Sequence, residues 1–376
     1  MKLSGLEFGF LSIPFKTAFN HAAASRNVAH SLIATARTSC GLAGFGEGCP
    51  RDYVTGETGA TASNFICAHR SDWLSQLCGV QSIADWAAGH RAAIDANPAA
   101  WAAVELALLD ICGHASNQSV ERLLGLAPLS GIFGYTAVLG DMPPMHFEDK
   151  LARYVSLGFR DFKIKLCGDR ERDLTKVRAL LRAGVAPTAV RADANNLWRD
   201  ADSAIRDLAA LDYPFFAVEE PIRVGDFAGL RRLAFALDTK IILDESLLNV
   251  DQLKNIDGSD IHWIANLRVS KMGGLLRCLE FIEAARARGL SAIVGAHVGE
   301  SSLLTRAAMT IAMQAADMLI GQEGAFGTHL LSSDIVAAPI MFGQGGRLDA
   351  AVSGAALLPG LGLSVIQPLP YFSNLG

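Results

Sequence analysis

Beyond Pro128 the sequence keeps one rhythm. Eight short β-prone runs, GIFGYTAV, DFKIKLC, AVRADAN, FFAVEEP, KIILDES, HWIANLRV, SAIVGAH and MLIGQEG, are centred near residues 135, 164, 192, 218, 243, 266, 294 and 320. The intervals of 29, 28, 26, 25, 23, 28 and 26 residues each leave room for a strand, a helix and two loops. Helical patterns fill five of the gaps: DRERDLTKVRALLRAG, RDADSAIRDLAALD, DFAGLRRLAFAL, LLRCLEFIEAARARG and SSLLTRAAMTIAMQA. Strands alternating with helices at a period below 30 predict a parallel (β/α) barrel. An open doubly wound sheet is the rival, but no run carries G-x-G-x-x-G after its strand.

The part before the barrel reads differently. The first 30 residues or so read as strands joined by a loop, with a second strand near Asn27–Ser39. Gly41, Gly44, Gly46 and Gly48 then read as punctuating a turn-rich stretch that ends at Cys49-Pro50. From Thr58 to Gly125 the pattern is helical. Its clearest piece, WAAVELALLDICGHA, is apolar on most faces and predicts a helix packed on both sides. The Gly- and Pro-rich tail is expected to return to the amino-terminal strands. The predicted organisation is an α+β capping domain over 1–126, a barrel over 127–340, and a carboxy-terminal segment over 341–376 that completes the cap.

Composition removes several classes of function. Half of the 376 residues (51%) are apolar and 19% are charged, enough to build a large core. Net charge is 33 − 38 = −5, which argues against a general phosphate-backbone binder, so no nucleic-acid partner is expected. Seven scattered cysteines form no C-x-x-C pair, which fits a reducing compartment better than a disulfide scaffold. Glu7, Pro14 and Lys16 interrupt the amino-terminal apolar residues, and no 18-residue apolar run exists. A cytoplasmic chain without a membrane partner is expected, as a homo-oligomer acting on a small molecule.

Barrel chemistry sits at the carboxyl ends of the strands. There this sequence places Lys163 and Lys165 (run two), Asp193 and Asn195 (three), Glu219 and Glu220 (four), and Asp244 and Glu245 (five). Lys271 follows run six, His297 and Glu300 follow run seven, and Glu323 ends run eight. Carboxylates on three consecutive strands repel unless a cation intervenes, and oxygen-only ligands suit a hard divalent ion such as Mg²⁺. Side chains alternate along a strand, so one of Glu219/Glu220 and one of Asp244/Glu245 is expected inside; spacing leaves open which. Lys163 and Lys165, two apart, should share a side and depress each other's pKa, as a lysine base requires. Lys271 lies four strands away from that pair, so a metal-held substrate would meet an amine on each face.

These motifs resemble the enolase superfamily. The K-x-K of Lys163 and Lys165, the D-A-N, V-E-E-P and D-E-S of strands three to five, and A-x-E-x-A-L-x-D…LLG before the barrel carry the resemblance. NLRVSKMGGL is similar to the muconate lactonizing enzyme subgroup, and GFGEGCP resembles a capping-domain turn. The resemblance implies a (β/α)7β modified TIM barrel with an α+β cap. It implies Asp193, Glu219 and Asp244 as ligands of Mg²⁺ (Mn²⁺ as substitute). It makes Lys165 and Lys271 the acid/base pair, with Lys163 assisting. The implied reaction is removal of the proton α to a carboxylate through an enediolate, as in racemases and epimerases of amino-acid derivatives. Cycloisomerases and dehydratases such as o-succinylbenzoate synthase are the alternative on the same site.

Arg268 stands where many relatives carry another lysine. His297 resembles the base position of the mandelate racemase subgroup, but strand six offers no partnering Asp, so it reads as a polar wall. Glu300 resembles a substrate- or lysine-contacting glutamate. Dipeptide epimerases carry D-x-D at strand eight for the substrate ammonium; here Glu323 stands alone for that task. His21, Arg26 and Tyr53, in loops of the capping domain, and Asn195 complete the predicted substrate contacts.

Overall fold

A computed structural model describes residues 2–21, 24–256, 261–351 and 358–375. Eight parallel strands run in sequence order around one sheet: Ala137–Leu139, Phe162–Lys165, Val190–Asp193, Ala217–Glu219, Lys240–Leu243, Trp263–Leu267, Ser291–Val294 and Leu319–Gln322. The Thr136 N–H donates to the Gln322 carbonyl at 2.7 Å, which joins the first edge of the sheet to the last. The chain is thus a (β/α)7β barrel with an amino-terminal α+β cap. Ala217, Ile242, Ile264 and Ile293 pack together as a separate apolar layer contributed by strands four to seven.

The first run divides. Ile132–Gly134 pairs antiparallel with Arg347–Asp349, and Ala137–Leu139 alone enters the barrel. The gap after strand one holds a helix, Pro144–Ser156, which buries Phe147, Leu151 and Tyr154 at helical spacing and is not among the five patterns above. The gap after strand five holds a 3₁₀ turn, Val250–Asn255, among the described residues.

In the cap, Leu3–Leu11, Ser31–Thr38 and Ala43–Gly48 form an antiparallel sheet that Phe372–Asn374 joins at the Leu3–Leu11 edge. The glycines read as turn residues are mostly strand. Gly44, Gly46 and Gly48 alternate along Ala43–Gly48 and face the helix Pro98–Ser116. A Cβ on them would lie 2.4, 2.0 and 1.9 Å from the carbonyl oxygens of Ala107, Ala103 and Ala99. Period two on the strand meets period four on the helix, and only hydrogen atoms on one side and alanines on the other permit the approach.

That helix, buried along nearly all its length, fixes the cap to the barrel. Its Glu105 accepts the Leu276 N–H at 3.1 Å, at the start of the barrel helix Leu275–Arg286. The Gly273-Gly274 turn before it has φ of 81° and 103°, and the Glu105 carboxylate lies against Gly274, where a Cβ would meet it at 2.3 Å. Glu47 does the same for the helix Ser302–Gln314, accepting the Ser301 N–H (3.0 Å), the Ser301 hydroxyl (2.6 Å) and the Leu304 N–H (3.3 Å). A carboxylate at a helix N-terminus meets both orphan N–H groups and the positive end of the dipole. Glu121 and Arg306, both fully buried, add a bidentate pair at 2.7 and 2.9 Å.

Replacing Gly46 by Ala should lower stability by about 2 kcal/mol or more, because backbone cannot yield as a side chain would; a denaturant midpoint within error of wild type would contradict it. Burial pushes the Glu105 pKa up to about 7, so the folded state holds its proton more tightly than the unfolded chain. Its contribution to stability is therefore lost as pH rises from the unfolded value through 7. Between pH 5.5 and 8 a Glu105→Gln variant should gain about 1–2 kcal/mol relative to wild type in urea unfolding. A constant difference between the two would contradict it.

Candidate active site

Strand register sets the site. Lys165, Asp193, Glu219 and Ile242 stand side by side on strands two to five, and Asp244 follows two residues later. Lys163 lies between two of the carboxylates, 2.9 Å from Asp193 Oδ2 and 2.6 Å from Glu219 Oε2, and it donates to Glu323 at 3.1 Å. Arg268 spans the next gap, 2.5 Å from Asp244 Oδ2 and 3.7 Å from Glu219 Oε1. Lys271, on the short helix Val269–Met272, donates to Asp244 Oδ1 (3.0 Å), the Asp244 carbonyl (3.0 Å) and the Asn266 carbonyl (2.6 Å). Asn266 Nδ2 donates to Glu219 Oε1 at 2.9 Å. Lys165 donates to Asp193 Oδ2 (2.5 Å) and Asn195 Oδ1 (2.8 Å).

The choice that spacing left open at strand four is made by backbone. Glu220 has φ of 39°, in the left-handed region. There its carboxylate turns away from the barrel axis and accepts the Asp244 N–H (2.7 Å), the Ser246 N–H (2.7 Å), the Ser246 hydroxyl (2.8 Å) and Asn196 Nδ2 (3.1 Å). Glu219 faces inward, and Glu220 pins the segment that carries Asp244. Such conformations persist only where surrounding bonds hold them. At strand five the expected alternation fails, because the strand ends at Leu243. Asp244 and Glu245 lie beyond it; Asp244 meets Lys271 and Arg268, and Glu245 lines the cavity above.

Electrostatics follow from these neighbours. Burial opposes ionisation of Asp193, yet Lys163 and Lys165 hold its carboxyl well below the usual range. Burial, then the Asp193 charge, push Glu219 up to about 7. Burial would depress Lys163, but Asp193, Glu219 and Glu323 together raise it above an ordinary lysine. The expectation that the paired lysines depress each other fails for Lys163, because three carboxylates surround it. Burial and then the charges of Arg268, Arg51, Lys271 and Arg26 press His297 well below its usual value, so its imidazole is neutral at pH 7. Its backbone N–H donates to Glu300 at 2.6 Å, and burial pushes Glu300 up to about 8.

A cavity of about 870 Å³ opens over this array. Lys163, Lys165, Asn195, His297, Glu300, Glu323 and Tyr53 line it, as do Glu245 and Arg268, which were not among the predicted contacts. Asp193, Glu219, Asp244 and Lys271 stand behind that lining, each at most 1% exposed. Arg26 lies 5.6 Å over the Tyr53 ring, and His21 ends the strand Pro14–His21 with its side chain outside the described residues. Arg51 braces the neighbouring loops, donating to the carbonyls of His30 (2.7 Å) and Val298 (3.2 Å).

The donor set fits a hard divalent cation. Asp193, Glu219 and Asp244 present carboxylate oxygens from adjacent strands. Glu219 Oε2 and Asp244 Oδ2 each lie close to a cation without forming a hydrogen bond to it. An all-oxygen donor set with no sulfur among it matches Mg²⁺ preference, and Lys163 and Arg268 fill the gaps between the carboxylates in this structure.

Residues 146–367 match the enolase C-terminal domain-like family, and residues 10–125 match the mandelate racemase/muconate lactonizing enzyme N-terminal domain. The chain is 28% identical over 321 residues to a hydrophobic dipeptide epimerase of Enterococcus faecalis, covering 84% of this chain and 88% of that protein. It is 24% identical over 387 residues to the N-succinyl-L-Arg/Lys racemase of Bacillus cereus, covering both chains fully. A crystal structure of the dipeptide epimerase from Enterococcus faecalis V583, complexed with Mg and L-Leu-L-Tyr, superposes with a TM-score of 0.79 at 26% identity, covering 97% of this chain and all of that one. The chain belongs to the mandelate racemase/muconate lactonizing enzyme family of the enolase superfamily.

Proposed function

We propose that the chain racemises or epimerises an amino-acid-derived carboxylate by moving the proton on the carbon α to it. The observation that carries this reading is the buried array in which three carboxylates and four cations interleave beneath one cavity. Asp193, Glu219 and Asp244 are the residues that would hold Mg²⁺, with Mn²⁺ as substitute. When bound, the ion offsets the second negative charge that develops on the substrate carboxylate. Lys165, on the cavity wall and oriented by Asn195, takes the α-proton from one face. Lys163 remains charged among its carboxylates and stabilises the developing enediolate. Lys271 serves the opposite face.

The arm beyond the reacting carbon is an amide. Glu323 already accepts from Lys163 and lies 3.7 Å from Arg191, so it is poorly placed to take a free substrate ammonium as well. An N-acylated amino acid needs no such anion, and one relative named above is a racemase of N-succinyl amino acids. A cavity of this size exceeds what a small diacid fills.

One observation favours a second reading. Lys271 spends its three hydrogens on Asp244 and Asn266 behind the cavity lining, whereas Lys165 reaches the cavity. A single base on the wall suits cycloisomerase or dehydratase chemistry. Cycloisomerases also stand among the relatives: a chloromuconate cycloisomerase of Cupriavidus necator is 27% identical over 75% of this chain.

Proton NMR in D₂O separates the two. With N-acyl amino acids, the α-proton signal should vanish without a new product, stop with chelator, and resume with Mg²⁺. Lys165→Ala and Lys271→Ala should each lose exchange by roughly 10²–10⁴-fold, each for a different enantiomer. A new product that needs only Lys165 would move the assignment to the second reading.

A further inference from the structure

The cavity has a second lobe that proton transfer does not use. Beyond the reacting groups it runs along the helix Pro144–Ser156, where His146, Asp149, Lys150, Arg153 and Tyr154 line it at helical spacing. The opposite wall comes from the strand Pro14–His21, with Lys16 and Phe19, and from the segment Phe326–Leu331. Barrel helices ordinarily bury one stripe against the sheet and give the other to water. Here a charged stripe faces a chamber.

Lys150 is the centre of this lobe. It is half-buried, and its ammonium lies 5.9 Å from the Tyr154 ring centroid and 6.0 Å from that of Phe19. No carboxylate lies within ion-pair distance of it among the described residues, although Asp149 is its neighbour in sequence. Burial, and then the charge of Arg153, hold its pKa below that of an ordinary lysine, as for a cation still lacking an anion. Lys16 donates to the Thr328 carbonyl, which keeps its charge at the same mouth. The lobe thus offers Lys16, Lys150 and Arg153 against the single acid Asp149, over a floor of aromatic rings. An apolar arm ending in a carboxylate complements both features.

We infer that this lobe is an anion subsite: the substrate's acyl arm ends in a second carboxylate, which Lys150 receives with Lys16 and Arg153 beside it. The inference rests on the proton-transfer reading above and adds the chemistry of the distal end. Lys150 is here a specificity-determining residue and touches no reacting atom.

The test pairs N-acyl-L-alanines whose arms end in carboxylate (succinyl, glutaryl, adipoyl) with amide-ended counterparts of the same length. Wild type should exchange the α-proton of the best acid-ended compound with at least tenfold higher kcat/KM than its amide-ended partner, the difference residing in KM. Lys150→Met should reduce that ratio at least tenfold, and Lys150→Arg should restore most of it. Equal kcat/KM for both arms in wild type, or equal losses for both in Lys150→Met, would overturn the inference and leave proton transfer standing. Absence of exchange with every compound would instead overturn the proton-transfer reading. Calorimetric binding of N-glutarylglycine then reads the subsite alone: weaker binding to Lys150→Met than to wild type supports it, and equal binding overturns it.

Discussion

Buried carboxylates on neighbouring strands repel unless cations separate them, and the rest of the site is arranged around that constraint. Lys163 stands between Asp193 and Glu219, Arg268 between Glu219 and Asp244, and Lys271 flanks Asp244 on the far side. Ion pairs of this depth contribute little net stability, since desolvation offsets attraction, while removing one partner costs about 3–5 kcal/mol. Such an array is better explained by chemistry than by folding. A divalent ion among the same oxygens, with lysines close by, concentrates positive charge where a carboxylate substrate gains negative charge.

The cap is held to this array by the same kind of group used differently. Glu47 and Glu105 reach across from the cap to the N-termini of two barrel helices, and Glu121 meets Arg306. The glycine-to-alanine ladder brings the strand Ala43–Gly48 and the helix Pro98–Ser116 to backbone contact, which sets where Glu47 and Glu105 emerge. The cap wall of the cavity is therefore tied to a rigid body near the reacting centre. Farther out, the Pro14–His21 strand and the helix Pro144–Ser156 add further lining residues.

Much of this is legible in the sequence. The eight-run rhythm gives the barrel, and the acids and lysines at its strand ends come together as their positions imply. Where sequence reading stops, a physical reason is visible. Alternation could not choose between Glu219 and Glu220, because the choice depends on the left-handed φ of Glu220 and on Ser246, which follows the next strand. It misled at Glu245, which lies past the end of its strand. Gly44, Gly46 and Gly48 read as turns because a glycine required by a close neighbour looks the same in sequence as one required by a bend. Arg268 and the stripe at His146, Lys150 and Arg153 carry no motif; only the i, i+4, i+7 spacing within Pro144–Ser156 marks that face, and it needs the helix to be known.

The site assignment stands or falls on whether the carboxylate array holds one divalent ion. Electron paramagnetic resonance of free Mn²⁺, titrated against wild type, Glu219→Gln and Asp244→Asn with circular dichroism to verify folding, answers it without any substrate. One Mn²⁺ per chain is expected in wild type, displaced by Mg²⁺, with affinity reduced at least tenfold in each folded variant. Folded wild type that takes up no Mn²⁺, or variants that bind it as tightly as wild type, would contradict the assignment of Asp193, Glu219 and Asp244 as the metal site.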